Sequence, residues 1–372
     1  MLTKYDEMTC HQTVSTFDFP LESDRAWTEK LWMNIHDTTG KFALAAGFGI
    51  YPNRNVMDGF ACFGLEGKSQ TNLRLSRQLR PNRDLVSIGP LSYDVKEPYR
   101  RIGLALTESD QDLKFDLEFL GRFHPALETP HQFQRDFGRV SVNTKRYAQI
   151  GRARGWIEYQ GTRYDLDENN TYAQRDHSWG IRLGVGAPEQ GVQSSDVAAF
   201  VGMMINWFTF QFSDWAVSCY LIEDDSGRVR FLSGRMVRDI DGPDEGLRVT
   251  AVEHDYQFHP NTALTKAGSL TLTFEDGSTR SISVAPFNIM YLRGGGYLGY
   301  RRFNHGMWMG PIHSEGETWD LTDPKIAAEA HGLDDTICRV ECDGQTGYGI
   351  LENLILPPFA KYGFPPMDPR RS

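Results

Sequence analysis

The chain has 372 residues, 40% of them hydrophobic and 24% charged, with a formal net charge of −10 from 39 basic and 49 acidic side chains. That length exceeds one ordinary domain of about 100–200 residues, so two domains are expected. The acidic balance, with no basic stripe among aromatics, speaks against nucleic-acid binding, and no run of about 18 apolar residues predicts a membrane span.

The 22 Phe, 15 Tyr and 8 Trp suit broad β-sheets or a ring-walled pocket. The five cysteines (Cys10, Cys62, Cys219, Cys338, Cys342) are odd in number and scattered, as in a reducing compartment. Met1 to Phe19 lacks the basic-then-apolar pattern of a signal peptide, so a cytoplasmic location is expected.

In chain order, Ser23 to Trp32 reads as the best helix candidate of the N-terminal part, with Ser23 or Asp24 as cap. Beyond Asp37, short apolar runs alternate with Gly, Asn, Asp and Pro. Leu113, Phe115, Leu117 and Phe119 alternate with Lys114, Asp116 and Glu118, which marks a half-buried strand. Gln160-Gly161-Thr162 joins Arg152–Tyr159 to Arg163–Leu166 as a hairpin. The Gly-rich stretch from Gly180 to Val197 reads as a connection between halves. Strand texture then resumes over Trp207–Ile222, turns at Asp225-Ser226-Gly227 and again at Asp276-Gly277, and gives way to one helix candidate, Asp323–Ala330. Pro357 to Ser372 reads as an extended or disordered arm.

A weak internal repeat runs from Trp32…Asp37 to Gly155-Trp156-Ile157-Glu158, and again from Phe208…Asp214 to Gly349-Ile350-Leu351-Glu352. If Glu158 and Glu352 look inward from their strands, burial raises their pKa and readies them as proton donors; the alternative is a structural ion pair for each.

The densest chemistry lies in Gln174-Arg175-Asp176-His177-Ser178-Trp179-Gly180. An extended backbone puts Asp176 and Ser178 on one face and Arg175, His177 and Trp179 on the other. Asp176 is a candidate acid or base, with His177 or Arg175 setting its charge state and Trp179 stabilising a developing cation. Tyr172, Tyr147 and Gln149 would add hydrogen bonds. The competing reading is an Asp–Arg interdomain bridge with Trp179 as a core plug. No metal is expected: His254-x4-His259 and His305-x7-His313 lack a standard ligand spacing. Nor does Ser178 sit in a nucleophile elbow.

Asp176-His177-Ser178-Trp179-Gly180, preceded by Gly155-Trp156-Ile157-Glu158 and Tyr164-x-Leu166-Asp167, resembles the tandem lipocalin-like superfamily of carotenoid 1,2-hydratase and AttH-type proteins. Uncharacterised bacterial relatives with an Arg-Asp-His-Ser-Trp-Gly signature are similar too. The resemblance implies two β-barrel-like domains in tandem and cofactor-independent chemistry on bulky apolar molecules. It assigns the catalytic acid to Asp176 and an aromatic pocket wall to Trp156. Gln174 and Arg175 stand where the hydratases carry Tyr and His, and an Arg beside the acid points to a polar substrate group or a lowered Asp pKa.

The expectation is therefore a mostly antiparallel β protein of two tandem lipocalin-like barrel or sandwich domains, residues 1–185 and 186–372. Its expected function is a cofactor-independent lyase, hydratase or isomerase on a terpenoid or aromatic substrate. Asp176, His177, Arg175, Glu158 and Glu352 would be its catalytic set, and Trp156, Trp179, Tyr172, Tyr147 and Gln149 its pocket. The alternative class is a non-catalytic carrier of hydrophobic small molecules. A homodimer is compatible with the sequence.

Overall fold

The computed structural model describes residues 2–366, apart from 10, 12–15, 17, 129–131, 137, 188–190, 192–200, 244–245 and 261. Cys10 and most of the Gly-rich connection therefore lie outside the described residues.

Antiparallel strands dominate. The first half supplies β1 (Trp27–Asp37), β2 (Phe42–Tyr51), β3 (Val56–Leu65), β4 (Ser69–Gln78), β5 (Ser87–Ile88), β6 (Leu91–Glu97), β7 (Arg101–Leu106), β8 (Leu113–Gly121), β9 (Ala126–Leu127), β10 (Gln132–Asp136), β11 (Arg139–Tyr159), β12 (Thr162–Leu166) and β13 (Thr171–Ile181). The second half supplies β14 (Met203–Gln211), β15 (Ala216–Asp224), β16 (Val229–Val237), β17 (Leu247–Phe258), β18 (Thr265–Phe274), β19 (Thr279–Tyr291), β20 (Ile312–Asp320), helix α1 (Pro324–Ala330), β21 (Asp334–Cys342) and β22 (Gln345–Leu356). β14 to β19 with β21 and β22 close into an eight-stranded barrel, and the remaining strands form a second, barrel-like sheet in the order β20-β4-β3-β2-β1-β13-β11-β8-β7-β6-β5. Two tandem β-barrel domains are thus the architecture, as the sequence led us to expect.

Each barrel has a filled interior, because inward positions recur every second residue. Leu31, Met33 and Ile35 of β1 meet Phe48, Phe63, Phe115 and Phe119 inside the first sheet. Phe208, Phe210, Leu221 and Leu351 do the same in the closed barrel. A third apolar cluster, including Trp32, Phe60, Trp207, Ile337 and Ile350, lies between the two. It draws on the outward faces of both barrels, and that seam is where the ionisable groups gather.

Three expectations change. Ser23–Trp32 is not a helix: Asp24 Oδ1 accepts the Ala26 N–H at 2.7 Å in a turn, and from Trp27 the chain pairs with both β2 and β13. Over Glu29–His36 the strand is paired on both sides, which outweighs the local helix signal. The C-terminal arm is in part docked, with Phe359 fully buried and Tyr362 and Phe364 packed against the closed-barrel core. Finally, β20 lies within the expected second-domain segment yet pairs along its whole length with β4 of the first sheet. The Asp323 cap of α1 and the hairpin between β11 and β12 match the sequence reading. The four described cysteines are free and buried.

Candidate functional site

β13 is hydrogen-bonded to β1 on one side and β11 on the other, so its side chains alternate strictly between two environments. The motif ends at Gly180 because β11 passes too close for a side chain. A Cβ there would stand 2.1 Å from the Asn143 carbonyl oxygen, and the backbone has φ +122°.

One face carries Arg175, His177 and Trp179 into the first sheet, under the N-terminal segment. Arg175 donates from Nη1 and Nη2 to the two oxygens of Glu7 at 2.8 and 2.7 Å, and from Nη2 to Gln149 Oε1 at 2.7 Å. Tyr147 donates to Glu7 at 2.7 Å. His177 Nε2 meets Glu29 Oε2 at 2.9 Å, and Trp179 stacks on His11 with centroids 3.8 Å apart. Burial alone would raise the pKa of both glutamates. Arg175 nonetheless brings Glu7 below its usual range, and hydrogen bonds from His11 and His177 hold Glu29 at about 2. The network is buried, charged and densely partnered.

The opposite face carries Asp176 into the seam. Its partner is Arg146 of β11, at 3.4 Å, and Arg146 also holds Glu128 at 2.8 Å. The Arg146 guanidinium lies over the rings of Tyr220 and Trp207, and Trp207 Nε1 donates to Glu128 at 3.3 Å. Arg146, Glu128 and Asp176 keep 19%, 14% and 13% of their side-chain surface accessible although they stand between the barrels.

The two barrels contribute matching parts. Trp32 sits directly across from Asp176 in the β1–β13 register, and Trp207 directly across from Glu352 in the β14–β22 register. The two indoles meet edge to face, 5.6 Å between centroids. Glu352 and Asp335 of β21 share a hydrogen bond between their carboxyl groups, and Asn34 donates to Asp335 at 2.8 Å. Burial pushes Glu352 up to about 7 and raises Asp335 further through the neighbouring carboxyl. Such a pair titrates as a unit and keeps one proton between its members at neutral pH. Trp32 Nε1 is buried without a hydrogen-bond partner among the described residues.

A second ionisable group adjoins this one. Lys30 Nζ lies 2.6 Å from His305 Nδ1 and 4.3 Å from the centre of the Tyr297 ring. Because His305 Nε2 contacts the Gly295 carbonyl oxygen at 2.9 Å, that nitrogen bears the hydrogen and Nδ1 is left to accept from Lys30. Burial lowers Lys30 to about 7 and raises Asp58, which accepts the Gly306 N–H at 2.6 Å, to about 6.

The other expected site residues are scattered. Glu158 is 39% exposed and 3.9 Å from Lys114, while Trp156 lies beneath the Arg163 guanidinium; both stand on the outer face of β11, away from Asp176. Tyr172 does point into the seam but packs against Tyr348 with the rings tilted by 52°, and Arg152 lies 3.6 Å over its ring. Arg175, His177, Trp179, Tyr147 and Gln149 share the buried network on the other face. The structure thus joins Asp176 to Glu352's neighbourhood and leaves Glu158 out. Sequence reasoning missed Trp32, Glu128, Arg146, Trp207 and Asp335. Only the repeat carried a usable signal, and its register makes Asp176, not Glu158, the counterpart of Glu352. A cleft of about 400 Å³ elsewhere is lined by Arg122, Arg152, Glu168, Asp239 and Asp241 and contains none of the seam residues. The donor atoms of His11, Glu29 and His177 lie within 4.8 Å of one another, close enough to share a metal ion.

Residues 2–365 match the model of a family described as "Family of unknown function (DUF8625)", and the chain belongs to that family. No curated protein matches it. Among solved structures it is similar to a putative AttH from Nitrosomonas europaea, with 13% identity and TM-score 0.52 over 89% of this chain and 93% of that one. It also aligns with CghA, at 8% identity and TM-score 0.49 over 89% of both chains. Kievitone hydratase from Nectria haematococca aligns at 11% and 0.41 over 88% of both. The first of these likenesses shows a shared fold.

Proposed function

We propose that, in this member of a family without assigned function, the seam is the active site of a hydratase, lyase or isomerase acting on a bulky apolar cyclic molecule. The observation that carries the reading is the Glu352–Asp335 pair, two adjacent buried carboxyl groups that burial pushes toward the protonated form, beside two indoles that meet edge to face. A neutral buried acid can protonate an unsaturated carbon. The faces of Trp32, Trp207 and Tyr220 would stabilise the cation that forms. In the hydration direction, water adds to that cation and gives its proton to Asp176, whose carboxylate Arg146 orients. Elimination runs the same steps backwards, and isomerisation replaces the water step by loss of a different proton. The unpartnered Trp32 N–H is suited to a substrate oxygen.

Both barrel interiors are filled by side chains, which takes support from a carrier that would hold its ligand inside a barrel. The test is incubation with terpenoid, steroid and aromatic compounds, reading product mass for added water, lost water or rearrangement. With a turned-over compound in hand, Glu352→Gln and Asp176→Asn should each lower the rate by about 10²–10⁴ with the fold unchanged. Rate retained in both folded variants would overturn the assignment.

A further inference from the structure

His11 is remote in sequence from His177, and both meet Glu29 over the central strands β1 and β13 of the first sheet. Glu29 Oε2 lies 2.9 Å from His177 Nε2 and 3.3 Å from His11 Nδ1. In a tetrahedral site with bonds of about 2.1 Å, ligand atoms stand about 3.4 Å apart; both separations from Glu29 lie near that spacing, and all three donor atoms lie within 4.8 Å of one another.

The surroundings are those of a ligand set. The second oxygen of Glu29 accepts the His11 backbone N–H at 2.6 Å, which fixes the carboxylate. The far nitrogen of His177 has an outer partner, Tyr147 Oη at 3.3 Å, whereas that of His11 makes no hydrogen bond among the described residues and has Asp6 Oδ1 at 3.4 Å as its nearest carboxylate. Outer partners of this kind set the tautomer and orientation of metal-bound histidines. Trp179 stacks on the His11 ring and limits its rotation. Charge points the same way. Glu7 is neutralised by Arg175, but Glu29 and Asp6 pair with no Lys or Arg among the described residues.

We infer that His11, Glu29 and His177 bind a divalent transition cation of zinc-like preference, which pins the N-terminal segment to the first sheet. Two imidazoles and one carboxylate are a recognised zinc donor set, with the fourth position left for water. His11 keeps 16% of its side chain accessible, which gives the ion a way in. This inference is independent of the seam chemistry.

The experiment loads the chelator-treated full-length protein with zinc chloride or cobalt chloride. The expected result is saturable uptake of one zinc per chain, and visible cobalt bands of a four-coordinate site. His11→Ala should abolish both. Tyr147→Phe, which removes the outer partner of His177 together with a hydrogen bond to Glu7, should bind about 10–100-fold more weakly, and Glu352→Gln should bind as the parent does. His177→Ala should also abolish binding. If that buried substitution prevents folding, the partly exposed His11→Ala decides alone. No saturable uptake, or equal uptake by His11→Ala and the parent protein, would overturn the inference.

Discussion

The two faces of β13 contain adjacent residues of one motif and solve opposite electrostatic problems. On the first-sheet face, cation and anion are matched. Arg175 has Glu7, the imidazoles have Glu29, and each carboxylate is held below its ordinary pKa. On the seam face, carboxyl groups outnumber their cations. Asp176 and Glu128 share Arg146, and Asp335 and Glu352 must share a proton. A matched network fixes geometry, whereas an acid-rich one stores a transferable proton. The comparison separates the part of the motif that builds the fold from the part that can do chemistry.

The largest effect on stability should come from the matched face. Arg175→Met leaves Glu7 buried without its cation and should cost about 3–5 kcal/mol in urea denaturation, with much of it recovered when Glu7→Gln is added. A near-neutral Arg175→Met would break the comparison.

The next effect sharpens it through pH. Glu352 has a folded pKa of about 7 against an ordinary 4.5, so its contribution is full below pH 4.5 and is lost as pH rises through 7. Glu352→Gln cannot ionise. Its stability relative to the parent should therefore climb between pH 4.5 and 7, by about 3 kcal/mol at most. Glu29, held at about 2, has the opposite sign: its contribution is present above pH 4.5 and disappears as pH falls through 2. Parallel stability curves for Glu352→Gln and the parent protein would refute the raised carboxyl. The smallest effect belongs to Glu158. Exposed and only loosely paired with Lys114, its replacement by Gln should change stability by less than about 0.5 kcal/mol and leave turnover unaltered.

Much of this was legible in the sequence wherever the information is local. Period-two alternation marks β8, Asp276-Gly277 marks the turn between β18 and β19, and the same period divides Asp176 from Arg175 and His177. Misreading Ser23–Trp32 as helix has the converse cause: the residues that decide it belong to β2 and β13, not to the segment. The site was least legible because its partners are remote. Asn34 and Asp335 are 301 positions apart, and Arg175 and Glu7 are 168 apart. Nothing in the neighbourhood of Asp335 or Arg146 announces such a partner. Glu158 was attractive through its Gly-x-x-Glu match to Glu352, but register pairs Trp207 with Glu352 and Trp32 with Asp176, which a motif match cannot weigh.

The seating of β20 on β4 bears on how the chain is made. Synthesis proceeds from the N-terminus, so β4 is complete more than two hundred residues before β20 emerges to cover its edge. Throughout that interval the nascent first barrel presents open backbone donors and acceptors, the feature that recruits stray strands. Severing the gene after β13 would make that interval permanent. The isolated first barrel should then assemble edge to edge with its own copies, and a separate peptide spanning Ile312–Asp320 should suppress it.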